Sequence, residues 1–150
     1  MKDLLQNQAN DIHDLLSIYI KVHDEIFKKS STFLSLFRRV DFQDIYNQTE
    51  SLLSHFNHKR IELYNLKSNF NESVPQEYRQ YFQQLVAFFE RLYETVVLLK
   101  DRQYQLLLKS NGEKYSFKEF MDIENKHKES VDMYMEEGQK LNSINYLIFS

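Results

Sequence analysis

Glu124 and His127 stand three residues apart, a spacing that sets a carboxylate and an imidazole on one helix face. Carboxylate-bridged di-metal bundles use two such E-x-x-H pairs, with a further Glu from each of two other helices. This sequence holds no second pair. His55 and His58 are also three apart and share a face, but with no further ligand beside them they read as polar residues on the wet side of a helix. His23 falls in phase with an apolar stripe, which suits a hydrogen-bonded histidine at the core edge; its functional reading is a pH-sensitive contact. The paired carboxylates Asp11 with Asp14 and Glu136 with Glu137 have the spacing of solvated helix surface. No cleft that would shift a pKa for general acid–base work is predicted around them.

A hemerythrin-like set comes closer to a metal site. His58 with Glu62 makes H-x-x-x-E, and His127 with Asp132 makes H-x-x-x-x-D. That family also needs H-x-x-x-H on the third helix, and residues 75–109 contain no histidine. A metal-binding, hemerythrin-like or di-iron-like bundle is thus the alternative reading, with no complete ligand set and no cofactor expected. Other chemistries lack their parts. Cysteine is absent, which excludes disulfides, thiolate metal sites and cysteine nucleophiles, and is compatible with a cytoplasmic location. No G-x-S-x-G elbow occurs, and Gly112 and Gly138 are too far apart for a phosphate-cradling loop. The expectation is that the protein is not an enzyme.

The elements that would position any site are helices. Two glycines and one proline in 150 residues leave little material for the many turns of a sheet protein. The expected fold is all-α: a single domain over residues 1–150, built as an elongated antiparallel four-helix bundle with coiled-coil-like helices. The first helix runs from about Lys2 to Lys29, with Leu5, Ala9, Ile12, Leu16, Tyr19 and Ile26 on one seam. A break is expected near Ser31, followed by a short helical piece carrying Phe33, Leu36, Phe37 and Val40. Asp41 then caps a second helix, whose seam is Phe42, Ile45, Thr49, Leu52, Phe56, Lys59, Leu63, Leu66 and Phe70. Residues 69–74 form a loop before Pro75 opens a third helix reaching about Leu108. The turn Ser110-Asn111-Gly112 ends it. Ser116 and Glu119, at capping-box spacing, start a fourth, with Phe117, Phe120, Ile123, Val131, Tyr134 and Met135 as core and Gly138 at its end.

The net charge of −3 gives no global attraction to nucleic acid or anionic lipid. The local basic clusters Lys28-Lys29, Arg38-Arg39 and His58-Lys59-Arg60 are flanked by acids and read as solvated faces. No apolar run approaches the roughly 20 residues of a membrane span, and the polar Gln6-Asn7-Gln8 interrupts any signal-peptide core.

What stands out is apolar surface. The third helix carries a full seam (Tyr78, Phe82, Leu85, Phe89, Leu92, Val96, Leu99 and Leu106), and Tyr81, Val86, Phe88, Tyr93 and Val97 broaden it well beyond one stripe. A helix apolar over so much of its circumference must touch several neighbours, as the central helix or as part of an interface. The segment from Ile144 to Phe149 must also pack on something. The candidate partner-binding residues are therefore Tyr81, Phe88, Tyr93, Leu147, Ile148 and Phe149, to be weighed against the plainer reading that all six complete the core. The expected function is a non-enzymatic protein-binding module (chaperone, adaptor or assembly subunit) that engages a partner's amphipathic helix or pairs with a second copy as a homodimer. A structural subunit of a viral or secretion assembly is a further reading.

Two stretches carry a family resemblance. Phe33-Leu34-Ser35-Leu36-Phe37-Arg38-Arg39-Val40-Asp41-Phe42-Gln43-Asp44-Ile45 resembles the helix–acidic turn–helix opening of small flagellar and type III export chaperones. Val96-Val97-Leu98-Leu99-Lys100-Asp101-Arg102-Gln103-Tyr104-Gln105-Leu106 is similar to their third helix, where a double leucine precedes an arginine. The resemblance implies a small cytoplasmic helical protein that sequesters an amphipathic helix of an export substrate. The chain departs from that pattern by its fourth helix and apolar C-terminal segment.

Overall fold

The Asp41 carboxylate accepts a hydrogen bond from the backbone N–H of Asp44 at 3.0 Å, the capping contact that opens the second helix. In a computed structural model of the chain, which describes residues 1–30, 40–114 and 116–149, four long helices follow one another among the described residues. They are α1 (Lys2–Ser30), α2 (Phe42–Leu66), α3 (Gln76–Ser110) and α4 (Phe117–Ile144), with a short α5 (Tyr146–Phe149) at the end. A single 3₁₀ turn, Lys67–Asn69, extends α2 before the loop to Pro75. The expected break near Ser31 and the helical piece bearing Phe33, Leu36 and Phe37 lie outside the described residues.

The ends of the helices follow local chemistry. Ser116 caps α4 by accepting from Glu119 N–H at 3.1 Å. α3 closes in a Schellman turn: Glu113 N–H reaches Leu108 C=O, Gly112 N–H reaches Lys109 C=O, and Gly112 takes φ +92°. Only a residue without Cβ adopts that conformation at no steric cost.

Contacts between helices fix an antiparallel bundle. Gln8 meets Glu62 across α1 and α2, Tyr93 meets Asn57 across α3 and α2, Gln84 meets Glu137 across α3 and α4, and Tyr19 meets His127 across α1 and α4. In each pair of helices the residue number rises on one as it falls on the other. α3 packs against α1, α2, α4 and α5, so the broadest apolar helix is the central one. The core repeats at heptad spacing, with Leu5, Ile12, Tyr19 and Ile26 from α1 and Phe82, Leu85, Phe89, Leu92, Val96 and Leu99 from α3. Phe56 and Phe89 stack at 5.8 Å between α2 and α3.

α4 departs from the expected pattern. Phe117 is 78% exposed and Met135 52% exposed, so neither belongs to the core. An inward heptad runs through the buried His127 and Tyr134 and the half-buried Phe120 and Leu141, with Ser130 buried and Val131 half-buried beside it. Met135 follows Tyr134 by about 100° of helix rotation to face outward. Gly138 does not end the helix, which continues to Ile144. A Cβ there would stand 3.2 Å from Phe88 Cε2, so this glycine lets α4 approach the aromatic ring on α3. Among the described residues no helix is long and apolar enough to cross a membrane.

Candidate functional site

Glu124 and His127 do lie on one face of α4, and that face points into the bundle. Glu124 pairs with the Arg102 guanidinium from α3, both side chains being almost fully buried. Arg102 also donates to Gln103 Oε1 at 2.6 Å and lies 4.4 Å above the Phe27 ring of α1. A 3.0 Å hydrogen bond joins His127 Nε2 to the Tyr19 hydroxyl, and the imidazole stacks on that of His23 at 5.6 Å. Burial pushes the His127 imidazole down to about 4, with His23 and Arg102 acting in the same direction and Glu124 against it. At neutral pH it is an uncharged hydrogen-bonding partner. The E-x-x-H pair thus ties α1, α3 and α4 together.

The other residues of a hemerythrin-like set are not gathered with it. His58 and Asp132 are exposed, while Glu62 accepts from Lys59 Nζ at 2.7 Å and from Gln8 Nε2 at 2.8 Å. Those contacts hold the Glu62 carboxyl below the usual range. No group of three or more His, Asp or Glu side chains converges for a metal among the described residues. Lys59, expected on a solvated face with Arg60, is buried. Its ammonium contacts Asp11 at 2.8 Å as well as Glu62, joining α1 to α2. Its place in the α2 seam was the sequence signal for this. A buried ammonium is tolerated because carboxylates and the Gln8 amide oxygen, at 2.9 Å, satisfy it.

Of the six candidate partner-binding residues, Tyr81, Phe88 and Ile148 are buried, while Tyr93, Leu147 and Phe149 are half-buried. Phe149 meets Tyr81 edge-on at 5.2 Å, so the C-terminal apolar segment covers part of the surplus on α3. Phe88 meets Tyr134 of α4 edge-on at 6.2 Å. Tyr93 donates to Asn57 Oδ1 at 2.6 Å and carries the Arg60 guanidinium 4.5 Å over its ring. Tyr81, Phe88, Tyr93 and Phe149 are each engaged by another helix of the chain, and Leu147 and Ile148 pack with the hydrophobic core.

Open apolar surface lies elsewhere. Between the second half of α2 and the first half of α3 runs a groove of about 780 Å³. Leu63, Phe70, Phe82 and Val86 form its floor, and Phe70 and Phe82 stack at 4.0 Å. Ile61, 61% exposed, and Tyr64, 77% exposed, stand on its α2 wall. At one end the groove is bounded by Arg60 and Glu90, paired through two 3.0 Å hydrogen bonds that cross from α2 to α3. Lys67 and Arg79 bound the other end, and neither has an ion pair among the described residues. Sequence reasoning missed this site because Ile61 and Tyr64 lie off the α2 seam. Their mutual spacing of three residues, marking a second apolar stripe beside the core seam, was the available signal.

Comparisons with family models, with curated proteins and with solved structures return no match to this chain.

Proposed function

We propose that this protein is a non-enzymatic helical binding module, of the chaperone, adaptor or assembly-subunit kind, that seats one face of a partner's amphipathic helix in the α2–α3 groove. The observation that carries this reading is the groove itself: an apolar floor with two large, strongly exposed apolar side chains on its wall, which none of the described helices covers. The walls are rigid helices. From Arg79 to Glu90 the α3 wall extends about 16 Å, room for roughly three turns of a docked helix at 1.5 Å per residue. The resemblance to export chaperones supports the same class of function, since sequestering an amphipathic helix requires such a groove. Absence of cysteine suits the cytoplasmic setting that this role implies.

Purification of the protein from its native source, with mass measurement of the intact complex, tests the proposal. A partner at fixed stoichiometry, lost on Ile61→Ser with Tyr64→Ser while the helical CD signal persists, is the expected result. A monomer that carries nothing, or a complex indifferent to both substitutions, overturns it.

A further inference from the structure

The groove is electrically lopsided. Its Arg60–Glu90 end is neutralised by the bidentate pair, and the Arg60 charge is further engaged by the Tyr93 ring. At the opposite end Lys67 and Arg79 carry two positive charges with no ion pair among the described residues, although the chain as a whole is acidic at −3. Arg79 is held in place there, its Nε donating to Val74 C=O at 3.1 Å. It also sits in the opening turns of α3, where the helix dipole disfavours a cation, so its charge contributes nothing favourable to its own helix. A cationic pair at one mouth of an apolar groove selects an occupant that is apolar along one face and anionic at one end.

We infer that the partner segment is an amphipathic helix of another protein whose carboxylates cluster at the end lying over Lys67 and Arg79. This rests on the docking role proposed above and adds the chemical class and orientation of what docks. Apolar side chains at i, i+3, i+4 and i+7 fill the floor over Phe82 and Val86, and the carboxylates pair with Lys67 and Arg79. A second copy is the poorer fit. The lining carries three cations against one carboxylate, and a two-fold pairing through it would bring two net-positive surfaces together.

Two synthetic helical peptides with one identical leucine face test this, one ending in glutamates and the other in lysines, titrated against the full chain by fluorescence anisotropy. The glutamate-ended peptide is expected to bind at least about tenfold more tightly, to weaken with added salt, and to lose its advantage on Lys67→Glu. The Lys67→Glu with Arg79→Glu double substitution should reverse the preference, with CD reporting that the helices persist. Equal binding of both peptides, abolished by Tyr64→Ser, would leave the groove as a docking site and overturn the acidic partner. No binding of either peptide would overturn both. Tighter binding to phosphatidylserine-containing vesicles than to the glutamate-ended peptide, dependent on Lys67, would replace the protein partner with a membrane surface. Dimerisation of the free chain, abolished by Tyr64→Ser, would replace it with a second copy.

Discussion

The two flanks of α3 are made of similar residues and end differently. On the α4 side, Tyr81, Phe88 and Leu85 meet Tyr134, Phe149 and Ile148, and Gly138 lets the two helices close on the Phe88 ring. On the outer α2 side, Phe82 and Val86 meet Phe70 and Leu63, but Ile61 and Tyr64 stay in solvent beside them. An aromatic-rich stripe therefore marks core on one flank and an open groove on the other. The deciding factor is whether another element of the chain arrives to cover it. α4 and α5 cover the first flank, and no described element covers the second.

Substitutions should separate the flanks sharply. Phe88→Ala removes a buried ring packed on α4 and should cost about 3–5 kcal/mol in urea denaturation, a large fraction of the stability of an ordinary domain. Glu124→Ala leaves the buried Arg102 charge without its carboxylate and should cost a comparable 3–5 kcal/mol; a loss below about 1 kcal/mol would show that this pair does not brace the α3–α4 flank.

A pH series sharpens the same contrast. The unfolded chain protonates His127 near its ordinary value of 6.5, whereas burial beside Tyr19, His23 and Phe27, with His23 and Arg102 acting in the same direction, lowers the folded value to about 4, with Glu124 opposing. Between those values the unfolded state binds more protons, so stability should fall with decreasing pH by up to about 1.4 kcal/mol per unit, and this contribution should level off below about pH 4. His127→Gln keeps a neutral hydrogen-bonding group and should flatten that slope. Thermal melts from pH 7 to pH 4 measure it, and an unchanged slope in the variant would place the titrating group elsewhere. The smallest effect belongs to the open flank. Tyr64→Ser should shift stability by no more than about 0.5 kcal/mol, because its ring is already in water.

Much of this architecture was legible from periodicity and caps. The seam of α2 includes the buried Lys59, although its charge alone suggested a solvated face, and Asp41, Ser116 and Gly112 act where their side chains or backbone freedom require. α4 was harder, because its inward heptad passes through His127, a residue type that hydropathy does not mark as core. Its burial depends on a tyrosine 108 positions earlier in the chain. The same long-range dependence hid the site. Sequence shows that α3 has apolar surface to spare, but which flank stays open depends on where α4 and α5 pack, and no local pattern records that. Gly138 illustrates the limit: as a local signal it suggests a helix end, whereas its role is to admit the Phe88 ring.

The most direct test of the account is the affinity of the glutamate-ended amphipathic peptide for the wild-type chain and for the Ile61→Ser, Tyr64→Ser double variant, measured alongside urea stability. The expected result is binding weakened by about tenfold or more, with stability changed by no more than about 1 kcal/mol for the pair. Undiminished binding in the folded variant, or a global unfolding showing that both residues belong to the core, would contradict it.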